Sequence, residues 1–185
     1  AESNTSIAAK PRQLTFFSMF PKIARVLLVG FLLIGAFIFL NPMKKGDSEE
    51  LVKIGYGLLA EGDYEKAELA FKDALKSDRE ISKAYAGLGQ SFLQRKLYQD
   101  AINQFKRSLN LTPSNVDYKI SLAKTYQLMG QFNDAEKYFK LAVDENPENA
   151  KPFYHYGLFM GEKGDKQNAI IASRKALKLG KNMYA

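Results

Sequence analysis

Apolar and polar positions are arranged in two unlike ways along this chain. Val26 to Leu40 is an unbroken apolar run, VLLVGFLLIGAFIFL. From Ser48 onward, small and apolar residues recur inside a mostly polar background, 34 residues apart. Ala67, Ala101, Ala135 and Ala169 mark the period. Gly55, Gly89, Ala123 and Gly157 keep the same spacing, and so do Ala74, Ser108, Ala142 and Ala176. Ile54, Leu88, Leu122 and Tyr156 form an apolar register; Phe71, Phe105 and Phe139 form an aromatic one, with Ser173 in fourth place. Self-similarity at a fixed period of this length means one supersecondary unit, repeated and stacked. The punctuation supplies helix ends. Gly62, Gly130 and Gly164 stand at one turn of the unit, where glycine takes positive φ, and Lys96 replaces glycine in the second unit. At the other turn, Thr112-Pro113-Ser114-Asn115 and Asn146-Pro147-Glu148-Asn149 stop one helix and cap the next. Arg79 and Lys181 stand where the other two units would have that proline.

These coincident registers resemble the tetratricopeptide repeat over residues 48 to about 183. The resemblance implies an all-α fold: four helix–turn–helix repeats, 48–81, 82–115, 116–149 and 150–183, in a right-handed solenoid. Counting each repeat from its first residue, positions 8 and 20 are small because the two antiparallel helices cross there. A larger side chain would push the axes beyond the usual ~8–10 Å. The aromatic at position 24 is expected to fill the gap toward the next repeat. Repeat 4 departs from the pattern, with Lys166 and Ser173 at positions 17 and 24 where aromatics are expected.

The apolar run lies outside the repeats and is apolar all round, unlike the one-sided pattern of a soluble helix. With Lys22 and Arg25 snorkelling and Asn41-Pro42-Met43 beyond it, residues 22–43 make ~33 Å of helix, which matches a ~30 Å hydrocarbon core. Twelve of the fifteen residues in the run are Leu, Ile, Val or Phe, which favours insertion by ~4–7 kcal/mol. No small-x-small cleavage site follows, so the reading is one transmembrane helix acting as an uncleaved signal anchor. The expected organisation is a polar then interfacial tail (1–21), the anchor (22–43), a short linker (44–47) and the repeat domain (48–185). Lys10, Arg12, Lys22 and Arg25 precede the anchor, and Lys44 and Lys45 follow it. That asymmetry puts the N-terminus in the cytoplasm and the repeats across the membrane, periplasmic in a bacterium. Repeats facing the cytosol, or carried on an organellar membrane, are the alternative.

Charge changes the picture only after partition. The net charge is +7, but residues 1–46 hold six cations against Glu2, and the remainder holds 21 cations against 19 anions. The excess flanks the anchor, where it sets topology and meets anionic lipid. No basic stripe on the repeats suggests nucleic acid; the Arg174, Lys175, Lys178, Lys181 cluster reads as a solvated helix face. There is no cysteine, His155 is the single histidine, and no phosphate-binding glycine loop occurs. The expectation is a protein that is not an enzyme, with no cofactor, no metal site and no small-molecule substrate.

The resemblance also implies where a partner would lie. In the family, positions 2, 5, 9, 12 and 13 of each first helix line a concave groove. Here that lining includes Val52, Tyr56, Leu59, Gln90, Leu93, Ile120, Lys124, Gln127, Leu128, Tyr154 and Leu158. So apolar a groove suits an extended peptide or an amphipathic helix from another protein subunit. Of the family's carboxylate-clamp residues only Lys151 is matched, so no such clamp is expected. Ile170, Ile171 and Leu177 are expected to stay partly exposed on the last helix. The functional expectation is a single-pass membrane-anchored scaffold or adaptor, a subunit or assembly factor of a membrane protein complex. The alternative is a receptor or chaperone-like binder of transient clients, as in secretion, import or cytochrome c biogenesis.

Overall fold

A computed structural model describes residues 45–182. They form eight α-helices: α1 Lys45–Glu61, α2 Tyr64–Ser77, α3 Ser82–Gln94, α4 Tyr98–Leu111, α5 Val116–Leu128, α6 Phe132–Glu145, α7 Ala150–Lys163 and α8 Lys166–Asn182. The expected anchor at 22–43 and the tail at 1–21 lie outside the described residues. No helix among the described residues is long and apolar enough to cross a membrane.

The helices pair as α1/α2, α3/α4, α5/α6 and α7/α8, and each pair packs on the next. The first helices of successive repeats, α1, α3, α5 and α7, also touch one another directly. Second helices show no comparable contact, so the first helices form the inner side of the stack. α3, α5 and α7 begin at Ser82, Val116 and Ala150, the first residues of their repeats. α1 begins three residues early, so 45–47, expected as linker, are helical. Asp47 in its first turn favours this start, being negative at the positive end of the helix dipole, and Ser48 is fully buried.

The turns carry the expected chemistry. The side chains of Asn115 and Asn149 cap α5 and α7, accepting from the backbone N–H of Tyr118 and Lys151. Asp63 caps α2 through Lys66 N–H at 3.2 Å. Gly62, Gly130 and Gly164 have φ of 82°, 75° and 88°, and Lys96 adopts the same left-handed conformation at φ 60°. A residue with a Cβ is strained there by ~1–2 kcal/mol.

The core is a row of rings set in slots. Phe71, Phe105 and Phe139 are fully buried, each contributing ~1.5–3 kcal/mol. The slots of Phe71 and Phe105 exist because the facing helix has glycine there, with no side-chain atoms, and repeat 3 has only the buried Ala123 at that position. A Cβ at Gly55 would lie 2.6 Å from the Phe71 ring, and one at Gly87, on the next repeat's first helix, closer still. Phe71 is thus clamped between two glycines of different repeats, packing within its own repeat and toward the next at once. Phe105 repeats the arrangement against Gly89, where a Cβ would come within 2.7 Å. Phe139 meets Phe159 of the next repeat, centroids 5.1 Å apart. In repeat 4 a Cβ on Gly157 would meet Ser173 Oγ at 2.8 Å and its backbone nitrogen at 3.2 Å. With serine in place of the ring, α8 settles closer on α7.

Ion pairs tie the outer side. Arg95, the residue that ends α3, reaches back to Glu68 at 2.5 Å and Glu65 at 3.3 Å on α2, and Lys163 on α7 pairs with Glu136 on α6. Lys119, almost fully buried, joins the start of α5 to Glu145 at the end of α6.

Three substitutions check this account by thermal or urea unfolding. Gly87→Ala is expected to cost ~1–2 kcal/mol, because overpacking against Phe71 exceeds the helix-propensity gain. Gly57→Ala, which nothing approaches within 4 Å, is expected to stabilise by ~0.5–1 kcal/mol. Equal signs for the two would contradict the slot. Lys96→Gly is expected to stabilise by ~0.5–1 kcal/mol through relief of left-handed strain, less the added freedom of the unfolded chain.

Candidate functional site

The first helices present a concave surface with two adjoining clefts. The larger, about 930 Å³, runs between α1, α3 and the start of α5, with Val52, Tyr56 and Tyr118 as its apolar wall and Glu49, Lys83 and Asp117 at its edge. The second, about 530 Å³, continues along Leu59, Ala86, Gln90, Gln94, Tyr118 and Ser121. Tyr56, Asp117 and Tyr118 belong to both.

Tyr56 is a rigid wall of this surface. Its hydroxyl donates to the Lys83 carbonyl of the next repeat at 3.0 Å, and its ring stands edge-on to Phe71 at 5.1 Å. Burial, and then the neighbouring Tyr118, push its phenol pKa up to about 12, so the hydroxyl stays a donor throughout the ordinary pH range.

Farther along, α5 and α7 bring charge together. Lys151 pairs with Asp117 at 2.7 Å. Lys124 is held below the usual lysine range by burial and then by Lys151. His155 is pushed down to about 4 by burial, then by Lys124 and Lys151, with Asp117 pulling weakly the other way. At neutral pH His155 is therefore a neutral groove residue. The Tyr154 ring stands edge-on to it at 5.1 Å. Gln127 donates through its amide nitrogen to the Glu162 carboxylate, linking the last two first helices.

The sequence-derived lining divides by burial. Tyr56, Leu128, Tyr154 and Leu158 are exposed, Tyr154 at 55%. Gln90, Lys124 and Gln127 are half-buried. Val52 and Ile120 are buried in the core, and Leu59 and Leu93 pack against it. The reason is geometric: at position 5, Val52 and Ile120 lie down between adjacent first helices, whereas Tyr154 is too large to do so. It also stands on the last first helix described, where no neighbour covers it. Sequence reasoning missed Tyr118, at position 3, a wall of both clefts. The available signal is a bulky aromatic where repeat 2 has the fully buried Ala84. Among the described residues there is no group of three or more His, Asp or Glu side chains that could hold a metal ion. The surface can bury apolar side chains against Tyr56, Tyr154 and Leu158, and can hydrogen-bond a backbone through Gln90, Gln94 and Ser121.

Two family models, both described as tetratricopeptide repeat, match residues 52–116 and 92–154, together more than half of the chain. The chain belongs to the tetratricopeptide repeat family. Its stack is a protein-interaction module of that family. Among curated relatives, the Arabidopsis thaliana Protein CTR9 homolog is 28% identical over 127 residues, 65% of this chain and 12% of that protein. The Drosophila melanogaster BBSome complex member BBS4 homolog is 23% identical over 133 residues, 72% of this chain and 27% of that one. The chain thus spans well under half the length of these relatives. Among solved structures, MamA 41-end from Desulfovibrio magneticus RS-1 superimposes with a TM-score of 0.66 at 25% identity, covering 78% of this chain and 82% of that one. A crystal structure of MamA gives 0.67 at 21% identity over 90% and 99%, which shows the same tetratricopeptide fold.

The groove electrostatics give a pH prediction. The fold disfavours the imidazolium of His155, so the unfolded chain binds more protons between pH 6.5 and about 4. Stability is expected to fall as pH drops through that window, and His155→Gln to remove that part of the fall. Proton NMR of the single imidazole should show a midpoint well below 6.5; a midpoint at or above it contradicts the burial.

Proposed function

We propose that this protein is a single-pass membrane-anchored scaffold whose concave groove holds a segment of another subunit, helping to build or maintain a membrane protein complex. The observation that carries the reading is the groove: exposed Tyr56, Leu128, Tyr154 and Leu158 lie on the inner helices of a tetratricopeptide stack, beside polar groups able to hydrogen-bond a backbone. Exposed apolar residues gathered on one concave surface mark a binding face more than scattered ones do. The apolar run Val26–Leu40 supports the anchor. Tethering beside the bilayer raises the effective concentration of the groove toward membrane partners. The charge asymmetry around that run supports an N-terminus in the cytoplasm and repeats across the membrane.

The partner class is an extended peptide or an amphipathic helix with two apolar anchors, one for each of the exposed patches at Tyr56 and at Tyr154/Leu158. No substrate chemistry is assigned to the groove.

Two measurements check this. The chain is expected to resist alkaline carbonate extraction of membranes, and a chain lacking residues 22–43 to be released. Purified in mild detergent, the intact chain is expected to carry a polypeptide in fixed stoichiometry. Tyr154→Ala combined with Leu158→Asp should lower its occupancy by about tenfold, the effect of losing ~1.4 kcal/mol of anchor burial. A chain that washes off membranes, or a partner indifferent to the double substitution, contradicts the proposal.

A further inference from the structure

The described stack has two ends, and they differ in sign. Inside the stack, each joint between repeats follows one plan. Position 21 of one repeat meets position 14 of the next, as Glu68 meets Arg95 and Glu136 meets Lys163. The same register at the middle joint holds Ile102, which is buried, and Met129. Position 28 is covered too, so Leu75, Leu109 and Val143 are half-buried.

On α8 this face meets no further helix among the described residues. Ile170, at position 21, is 51% exposed, and Leu177, at position 28, is 67% exposed. Around them α8 carries Lys166, Arg174, Lys175 and Lys178 and no acidic residue. At the other end, α1 presents the face that α3 and α5 bury. Ile54 is 47% exposed, whereas Leu88 and Leu122 in its register are buried. Glu50 and Glu61 are exposed on the same face, one and two turns from Ile54. Lys53, the nearest cation, pairs with Glu50 at 3.3 Å. The carboxylates of α1 still outnumber its lysines, four to two.

We propose that a second copy of this chain stacks end to end, α8 of one molecule against α1 of the next, continuing the solenoid across the joint. Ile170 and Leu177 bury against Ile54 and Leu58, repeating the apolar strip of the internal joints. The cations of α8 face the carboxylates of α1. In the internal register Ile170 falls opposite Glu61, and Arg174, one turn along, is placed to take that carboxylate. Charge argues against the two-fold alternatives. Placing α8 on α8 sets Arg174 and Lys178 against their own copies, and α1 on α1 does the same with Glu50 and Glu61. A head-to-tail contact is heterologous, so two copies leave a free face at each end and the assembly grows.

The test uses the full chain in mild detergent, followed by sedimentation velocity. Assembly is expected to grow with protein concentration and to weaken as salt rises from about 0.05 M to about 0.5 M, where screening shortens to a few ångströms. Leu177→Asp disables only the α8 face and Ile54→Arg only the α1 face. Each variant alone is expected to stay a single copy with unchanged helical circular dichroism. Mixed, they should form a one-to-one pair and nothing larger. Arg174→Glu provides a second route: it should weaken assembly about tenfold, and Glu61→Arg added to it should restore assembly. A chain of constant mass at every concentration, a single variant that assembles like the original, or a mixture that fails to pair would overturn the proposal.

Discussion

The structure depends on one packing constraint: a phenylalanine ring on the second helix of each of the first three repeats needs glycine or alanine on the first helix that faces it. Phe71 occupies a space that exists only because Gly55 and Gly87 lack a Cβ. One ring therefore sets both the distance within a repeat and the distance to the next. Phe105 continues the device, and Phe139 extends it through Phe159. Where the ring is missing, at Ser173, the helices close up instead. Spacing of the first helices, and so the shape of the concave surface they form, follows from this row of rings.

The groove inherits its character from the same constraint. Tyr56 stands edge-on to Phe71 and is tied to the Lys83 carbonyl, so the wall of the first clefts is an extension of the core. At the other end the floor is charged and half-buried, with Lys124 and His155 both held toward their neutral forms. The surface is thus stiff and aromatic at one end, and at the other it sets charged, half-buried side chains beside the exposed Tyr154 and Leu158. A stiff wall reduces the entropy that a bound segment must offset.

Much of the fold is legible in the sequence, because a repeated steric requirement leaves a repeated residue type. The period in Ala67, Ala101, Ala135 and Ala169 marks the stack, and the turn residues place α3, α5 and α7 at the repeat starts. Lys96 falls at the glycine position and takes the glycine conformation. The candidate site was legible by position and not by exposure. Val52, Ile120 and Tyr154 share one register, yet the first two are core and the third is open. Burial at that register depends on side-chain size and on whether a neighbouring helix lies alongside, and a single position number carries neither. Tyr118 escaped for the converse reason: its register is core in repeat 2, but its ring is too large for that space. The helical start at Lys45 was hidden because the repeat frame begins at Ser48, whereas the helix extends past it.

The central claim is that the concave surface, and not the outer one, holds the partner. Site-specific photo-crosslinking of the full chain in its membrane tests it directly. A photoreactive residue at Tyr154 or Leu158 should capture one discrete polypeptide. The same residue at Leu69 or Leu141, which are exposed on the second helices, should capture none. Adducts of equal yield from both sets, or from the second helices alone, would contradict the account.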